Sequence, residues 1–189
     1  MDLCHLPEPQ ATWFVRPSGF DASQTMHGLG HTRRVLLHAW ELARTLDVGG
    51  WELQALVHAA LWHDIGRTDD RADYYHGAKS AGKVVGLGLH RGLEPKVYET
   101  ALYAITHHCG SEVHGERAAD LVFFHRELGE GRFERGQVPP ESARRVFKML
   151  KDADALDRVR FHGLDVSHLR FAESRDRVPR AWELLDLVR

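Results

Sequence analysis

Apolar residues recur along this chain at the spacing of a helix. From His31 to Leu46 they fall at Val35, Ala39, Leu42, Ala43 and Leu46, one stripe of a helix. Gly49-Gly50 then breaks the pattern. A second helix is expected from Trp51 to Ile65, with Leu53, Leu56, Val57, Ala60 and Leu61 on one side and Gly66 as the residue that ends it. A third is expected from His76 to Gly86, where Ala78, Ser80, Ala81 and Gly82 suit close packing. Pro95 suits the first turn of a fourth, ending near His108. Pro139-Pro140 opens a long helix, Glu141 to Phe161, with Val146, Met149, Leu150, Ala153 and Leu156 inward; Arg180 to Val188 is short and amphipathic. Residues 112–138 are the least regular. There Ala118–Leu128 reads as helical, but Gly129-Glu130-Gly131 and Gly136 read as a mobile insertion. With no convincing strand pair, the fold class is all-α, a bundle of six to seven helices.

Composition narrows the function. Apolar residues are 43% and charged residues 28%, as in a globular domain, so a wholly disordered chain is excluded. The net charge of −2 gives no general attraction to nucleic acid or anionic membrane. No apolar run has the length of a membrane span, and Met1-Asp2-Leu3-Cys4-His5 does not read as a signal peptide. Two cysteines, Cys4 and Cys109, build no disulfide framework, so a reducing, cytoplasmic setting is the expectation. The unusual feature is histidine, 14 in 189 residues.

Four clusters hold the candidate chemistry. In His27-Gly28-Leu29-Gly30-His31, a helix beginning near His27 would set His27 and His31 on one face. In His63-Asp64-Ile65-Gly66-Arg67, Asp64 continues the Leu53, Val57, Ala60 stripe, and a carboxylate pointing inward needs a cation or an arginine. His76 opens the third helix, and His107-His108 close the fourth. Each has a plain structural reading: a solvated helix start, a salt bridge, a cap, or an answer to the helix dipole. In Asp152-Ala153-Asp154-Ala155-Leu156-Asp157, Asp152 falls outside the apolar stripe, while Asp154 and Asp157 fall within it or at its edge; spacing does not choose between those two. A cation follows each candidate ligand by one turn: Arg34 after His31, Arg67 after His63, Lys79 after His76 and Arg158 after Asp154. A metal ringed by cations suits a phosphate substrate.

Taken in order, His31, His63-Asp64 and Asp152-Ala153-Asp154 resemble the HD-domain metal-dependent phosphohydrolase superfamily over roughly residues 27–160. The resemblance implies a helical core at 27–161, an N-terminal extension at 1–26 and a C-terminal helical extension at 162–189. It implies a divalent ion on His31, His63, Asp64 and Asp154, the last because that family's ligand is usually the middle acid of an Asp-x-Asp-x-x-Asp run. A second ion would draw on His76 and on His107 or His108; the motif leaves that pair open, with His108 favoured. Mixed imidazole and carboxylate ligation admits Mn, Fe, Co, Ni or Zn. Arg34, Arg67 and Lys79 would hold the phosphate, Asp64 would bridge two ions, and His27 or Asp70 would protonate the leaving oxygen. The substrate expected is a nucleotide or other small phosphorylated metabolite. Relatives with a di-iron site suggest an oxygenase as the alternative, and a non-catalytic nucleotide sensor is a third reading. Cys109-Gly110-Ser111 stands where cyclic-dinucleotide phosphodiesterases carry Gly-Tyr-Pro, which disfavours that specificity. The remaining histidines, such as His38, His58 and His168, carry no assigned role.

Overall fold

The computed structural model describes residues 5–15, 23–123 and 138–188, and among these every regular element is a helix. In order they are α1 (Leu29–Thr45), α2 (Gly50–Trp62), α3 (His76–Gly86), α4 (Pro95–His107), α5 (Glu112–Phe123), α6 (Pro140–Leu156), α7 (Ala172–Asp176) and α8 (Val178–Leu187). Single 3-10 turns cover Ala11–Phe14, Asp157–Phe161 and Val166–His168.

Helices α1, α2, α4 and α6 pack on one another as the central bundle, α3 lies on α4, and α5 lies on α6 and α4. Helix α2 is its axis. The sequence pattern gave α2 one apolar side, and Leu53, Ala55, Leu56, Val57, Ala59, Ala60, Leu61 and Trp62 are all buried, so past Gly50 only the narrow stripe of Trp51, Gln54 and His58 reaches the surface. Its start needs Gly50, whose φ of 57° lies in the left-handed region. A smaller apolar cluster of Leu156, Val159, Leu169 and Ala181 joins the C-terminal segment to the end of α6.

Three expectations change. The long final helix ends at Leu156, and Asp157–Phe161 tightens into a 3-10 turn. Helix α5 begins at Glu112, six residues before the expected start; residues 124–137, where the expected helix was to end and most of the expected insertion falls, lie outside the described residues. A Cβ on Gly115 would strike the Phe147 ring, so the glycine lets α5 dock on α6. Asp152, expected outside the apolar stripe, is fully buried. The segment after Phe161 folds back over it: its carboxylate accepts from the backbone N–H of Arg170 (2.8 Å) and Phe171 (3.1 Å) and from Arg170 Nη1 (2.9 Å).

Two glycines set α3 against its neighbours. A Cβ on Gly66 would run into the backbone of Lys79 and Ser80, and a Cβ on Gly77 into the carbonyl oxygens of Ile105 and Thr106. Gly66 was expected as a left-handed helix terminator; its actual role is close approach, reinforced by its N–H donating to Ser80 Oγ (2.9 Å). Backbone therefore touches backbone on both sides of α3. Gly77→Ala is expected to destabilise by at least about 1–3 kcal/mol, the usual penalty of overpacking. Gly82→Ala, on the same helix with nothing within 4 Å of the added methyl, should be neutral or stabilising, by up to about 1 kcal/mol. Paired thermal melts check both.

Candidate metal centre

Three of the four central histidines are set by one local device. His63 follows the last residue of α2 and His108 the last residue of α4, and each donates Nδ1–H to the carbonyl three residues back, Ala60 (2.8 Å) and Ile105 (2.7 Å). Carbonyls in the last turn of a helix run short of intrahelical donors, so the imidazole satisfies one and is itself fixed. His76 makes the same bond to the Asp73 carbonyl. A carbonyl oxygen only accepts, so in each ring the proton sits on Nδ1 and Nε2 presents a lone pair. His31, on α1, donates Nδ1–H to Asp157 Oδ2 (2.7 Å) with the same result.

The four Nε2 atoms then meet as two pairs. His31 and His63 face each other at 3.0 Å, His76 and His108 at 2.9 Å. Asp64, in the turn after α2, divides its carboxylate between them. Oδ2 lies 3.4 Å from His31 Nε2 and 3.7 Å from His63 Nε2, while Oδ1 lies 3.2 Å from His76 Nε2 and 3.8 Å from His108 Nε2. Asp154 Oδ1 joins the first pair at 3.4 and 3.9 Å. Donors bound at about 2.1 Å to one ion stand about 3.0–3.4 Å apart. The facing nitrogens and the nearer oxygen of each set, at 2.9–3.4 Å, match this, and the others, at 3.7–3.9 Å, lie a few tenths of an ångström beyond it. Facing lone pairs repel unless positive charge lies between them. His31, His63, Asp64 and Asp154 could hold one divalent ion, and His76, His108 and Asp64 a second.

The electrostatics agree. Burial would raise the Asp64 pKa, but His63, His31 and Arg67 hold it well below the usual carboxylate range. Asp154 is likewise lowered, burial being outweighed by His63 and His31. Burial lowers the His63 pKa and pushes His108 down to about 3. At His31 burial is overcome by the bonds to Asp157 and Asp64, which raise its pKa; this position attracts positive charge.

The HD-domain family profile matches residues 28–159, most of the chain. The chain belongs to the HD-domain family. Its superfamily is one of metal-dependent phosphohydrolases. No curated protein and no solved structure matches the chain.

In this HD-domain protein, geometry separates the two acids that spacing left open. Asp154 reaches the Nε2 atoms, whereas Asp157 sits behind His31, fully buried. Arg34 was expected to hold phosphate. Instead its Nε (2.5 Å) and Nη2 (3.1 Å) donate to Asp157, and Nη1 donates to the Val188 carbonyl (2.7 Å). Arg160 adds a third guanidinium bond to Asp157 (2.7 Å). Burial works against the Asp157 charge, but His31, Arg34 and Arg160 hold its carboxyl far below the usual range.

His107 is half-buried with its ring 5.3 Å from Tyr103, so of the two adjacent histidines it is His108 that reaches His76. Lys79 is exposed and paired with Asp73 (2.7 Å), outside the cleft described below. Arg67 Nε donates to Asp64 Oδ1 (3.1 Å). His27 precedes α1 and so shares no helical face with His31, yet their rings meet edge to face at 5.6 Å. His27 Nδ1 bonds Asp70 Oδ1 at 2.8 Å. Burial lowers the His27 pKa; Asp70 is lowered too, the His27 bond outweighing burial.

A cleft of about 560 Å³ opens beside His76, His108 and Asp154, lined among the described residues also by Arg67, Tyr74, Cys109, Lys151, Arg158, His168 and Arg170. Lys151, Arg170 and Cys109 escaped the sequence reading. Lys151 stands three residues before Asp154, a signal that had been sought only after each ligand. Arg170 comes from beyond the matched region, where no motif points to it. Cys109, beside His76 and His108, donates from Sγ to the Tyr74 carbonyl (3.2 Å).

Asp157→Asn keeps the shape behind His31 but removes the charge that orients it. Divalent-metal affinity is expected to fall about 10–100-fold, as for losses of ligand-orienting carboxylates elsewhere, with helical circular dichroism retained. Titration against a chelating dye measures it.

Proposed function

We propose that this HD-domain protein hydrolyses a phosphate ester of a small metabolite, a nucleotide foremost, at the paired clusters. The observation that carries the reading is the Asp64 carboxylate, split between two pairs of facing imidazole nitrogens beside a cation-lined cleft. His31, His63, Asp64 and Asp154 would hold one divalent ion, and His76 and His108, with Asp64, would hold a second. Mixed nitrogen and oxygen donors suit Mn, Fe, Co, Ni or Zn better than Mg. Such ions supply Lewis acidity toward a phosphoryl oxygen and lower the pKa of water.

The chain's own residues do the rest. Arg67 spends one donor on Asp64 and one on the Arg71 carbonyl, and its remaining N–H groups oppose charge that develops on the phosphoryl oxygens. Lys79 and Arg34 take no part in this, each being committed to an acid. Asp70, held ionised, has no proton to give; it takes the His27 Nδ1–H bond and leaves Nε2 as the exchangeable nitrogen. His27, its pKa lowered by burial, is neutral near pH 7; it takes a proton from water and passes it to the leaving oxygen.

The same six ligands would serve an oxygenase, but an oxidised neutral substrate has no use for Arg67, Lys151, Arg158 and Arg170 around one cleft. A phosphate-release screen with each divalent ion, run beside oxygen consumption by the iron-loaded protein, decides between them. Nucleotide binding with neither turnover would mark a sensor. Asp64→Asn should abolish phosphate release and deplete bound metal while leaving helical circular dichroism intact. Full turnover by that variant would overturn the reading. His27→Gln should slow alkyl phosphate hydrolysis about 100-fold and p-nitrophenyl phosphate much less, since nitrophenolate leaves without a proton.

A further inference from the structure

The cleft holds two kinds of cation. Arg67 answers Asp64 (3.1 Å), and Arg170 answers Asp152 (2.9 Å) and Glu112 (2.7 Å). Lys151 and Arg158 answer no carboxylate among the described residues. Lys151 Nζ donates to the carbonyls of His108 (2.7 Å) and Gly110 (2.8 Å), and Arg158 Nε approaches only the Gly163 carbonyl (3.4 Å). The cleft's own acids are engaged elsewhere. Asp73 pairs with Lys79, Asp165 accepts from Ser167 N and Oγ, and Asp154 faces the histidines.

Position gives these two cations a direction. Lys151 comes three residues before Asp154 on α6, a spacing that shares one helix face, Arg158 stands just past the helix in the 3-10 turn Asp157–Phe161, and all three line the cleft. The two cations thus flank Asp154 along the chain, one before it on α6 and one beyond the helix end. A half-buried ammonium held by two carbonyls and the face of the Phe147 ring (5.5 Å) lacks a close counter-charge, and an anion arriving there supplies one.

We propose that Lys151 and Arg158 form an anion-binding pair that selects substrates carrying a second anionic group, phosphate or carboxylate, besides the phosphate to be cleaved. Lys151, beside His108, meets the scissile phosphate. Arg158, beside Gly163, meets the second anion. This deepens the hydrolase reading and rests on it for the word substrate; the binding preference itself does not need turnover.

Two matched pairs of probes test it on the metal-loaded full chain. They are AMP against adenosine 3′,5′-bisphosphate, and glycerol 3-phosphate against 3-phosphoglycerate. Ligand-induced thermal shift reports binding, and competition with p-nitrophenyl phosphate reports it again where turnover exists. The doubly anionic member of at least one pair should bind about tenfold tighter, as a charge-assisted guanidinium contact allows, and the responding pair names the second anion. Arg158→Gln should bring that ratio close to one, Arg158→Lys should restore part of it, and Lys151→Gln should weaken both members of a pair. Lys96→Gln, on a pair with Glu94 outside the cleft, should leave the ratio unchanged. Equal binding within both pairs, or a preference that survives Arg158→Gln, overturns the proposal. Absent phosphate release with the preference intact would instead sink the hydrolase reading alone.

Discussion

The centre depends on where four protons sit. Each imidazole gives its Nδ1–H to an acceptor that cannot give one back, and only this frees four Nε2 lone pairs to converge. Three of the acceptors are carbonyls three residues upstream, so fold and chemistry share one bond. The ends of α2 and α4 need donors, and the histidines that supply them are the candidate ligands. A lysine could answer the same carbonyls but would bring no lone pair at pH 7. Asp157 completes the set through tertiary contact: two arginines hold the carboxylate that holds His31.

Basic residues divide by what lies across from them. Arg34 follows His31 by three positions and Arg158 follows Asp154 by four, so along the chain they look equivalent. In space Arg34 meets the buried Asp157 and becomes part of the scaffold, while Arg158 meets only a carbonyl at the edge of a cleft. An arginine against a buried carboxylate cannot leave without stranding a charge, whereas one on the cleft wall can turn to a ligand.

Much of this was legible in the sequence, for particular reasons. Long helices with periodic apolar residues are the elements such reasoning reads best, and α1, α3, α4 and the start of α6 fall within two residues of their expected bounds. Asp64 is buried as its continuation of the apolar stripe led one to expect, although α2 ends at Trp62 and Asp64 sits in the turn beyond it. What was missed depended on partners distant in sequence. Asp152 is buried by Arg170 and Phe171. Gly115 and Gly66 answer a ring and a backbone that no local pattern reveals. His107 and His108 differ only in which side of a helix end faces α3.

The glycine contacts around α3 bear on how much order the centre must acquire when a cation arrives. Where main chain abuts main chain there is no side chain to yield, so His76 inherits the stiffness of α2 and α4. The loop before it, with Tyr74 and Tyr75 in the open, orients the ring through the Asp73 carbonyl, while the close glycine contacts hold the helix that carries it. Much of the entropy of gathering donor groups has then been spent during folding, and a ligand meets a cage already close to its final shape.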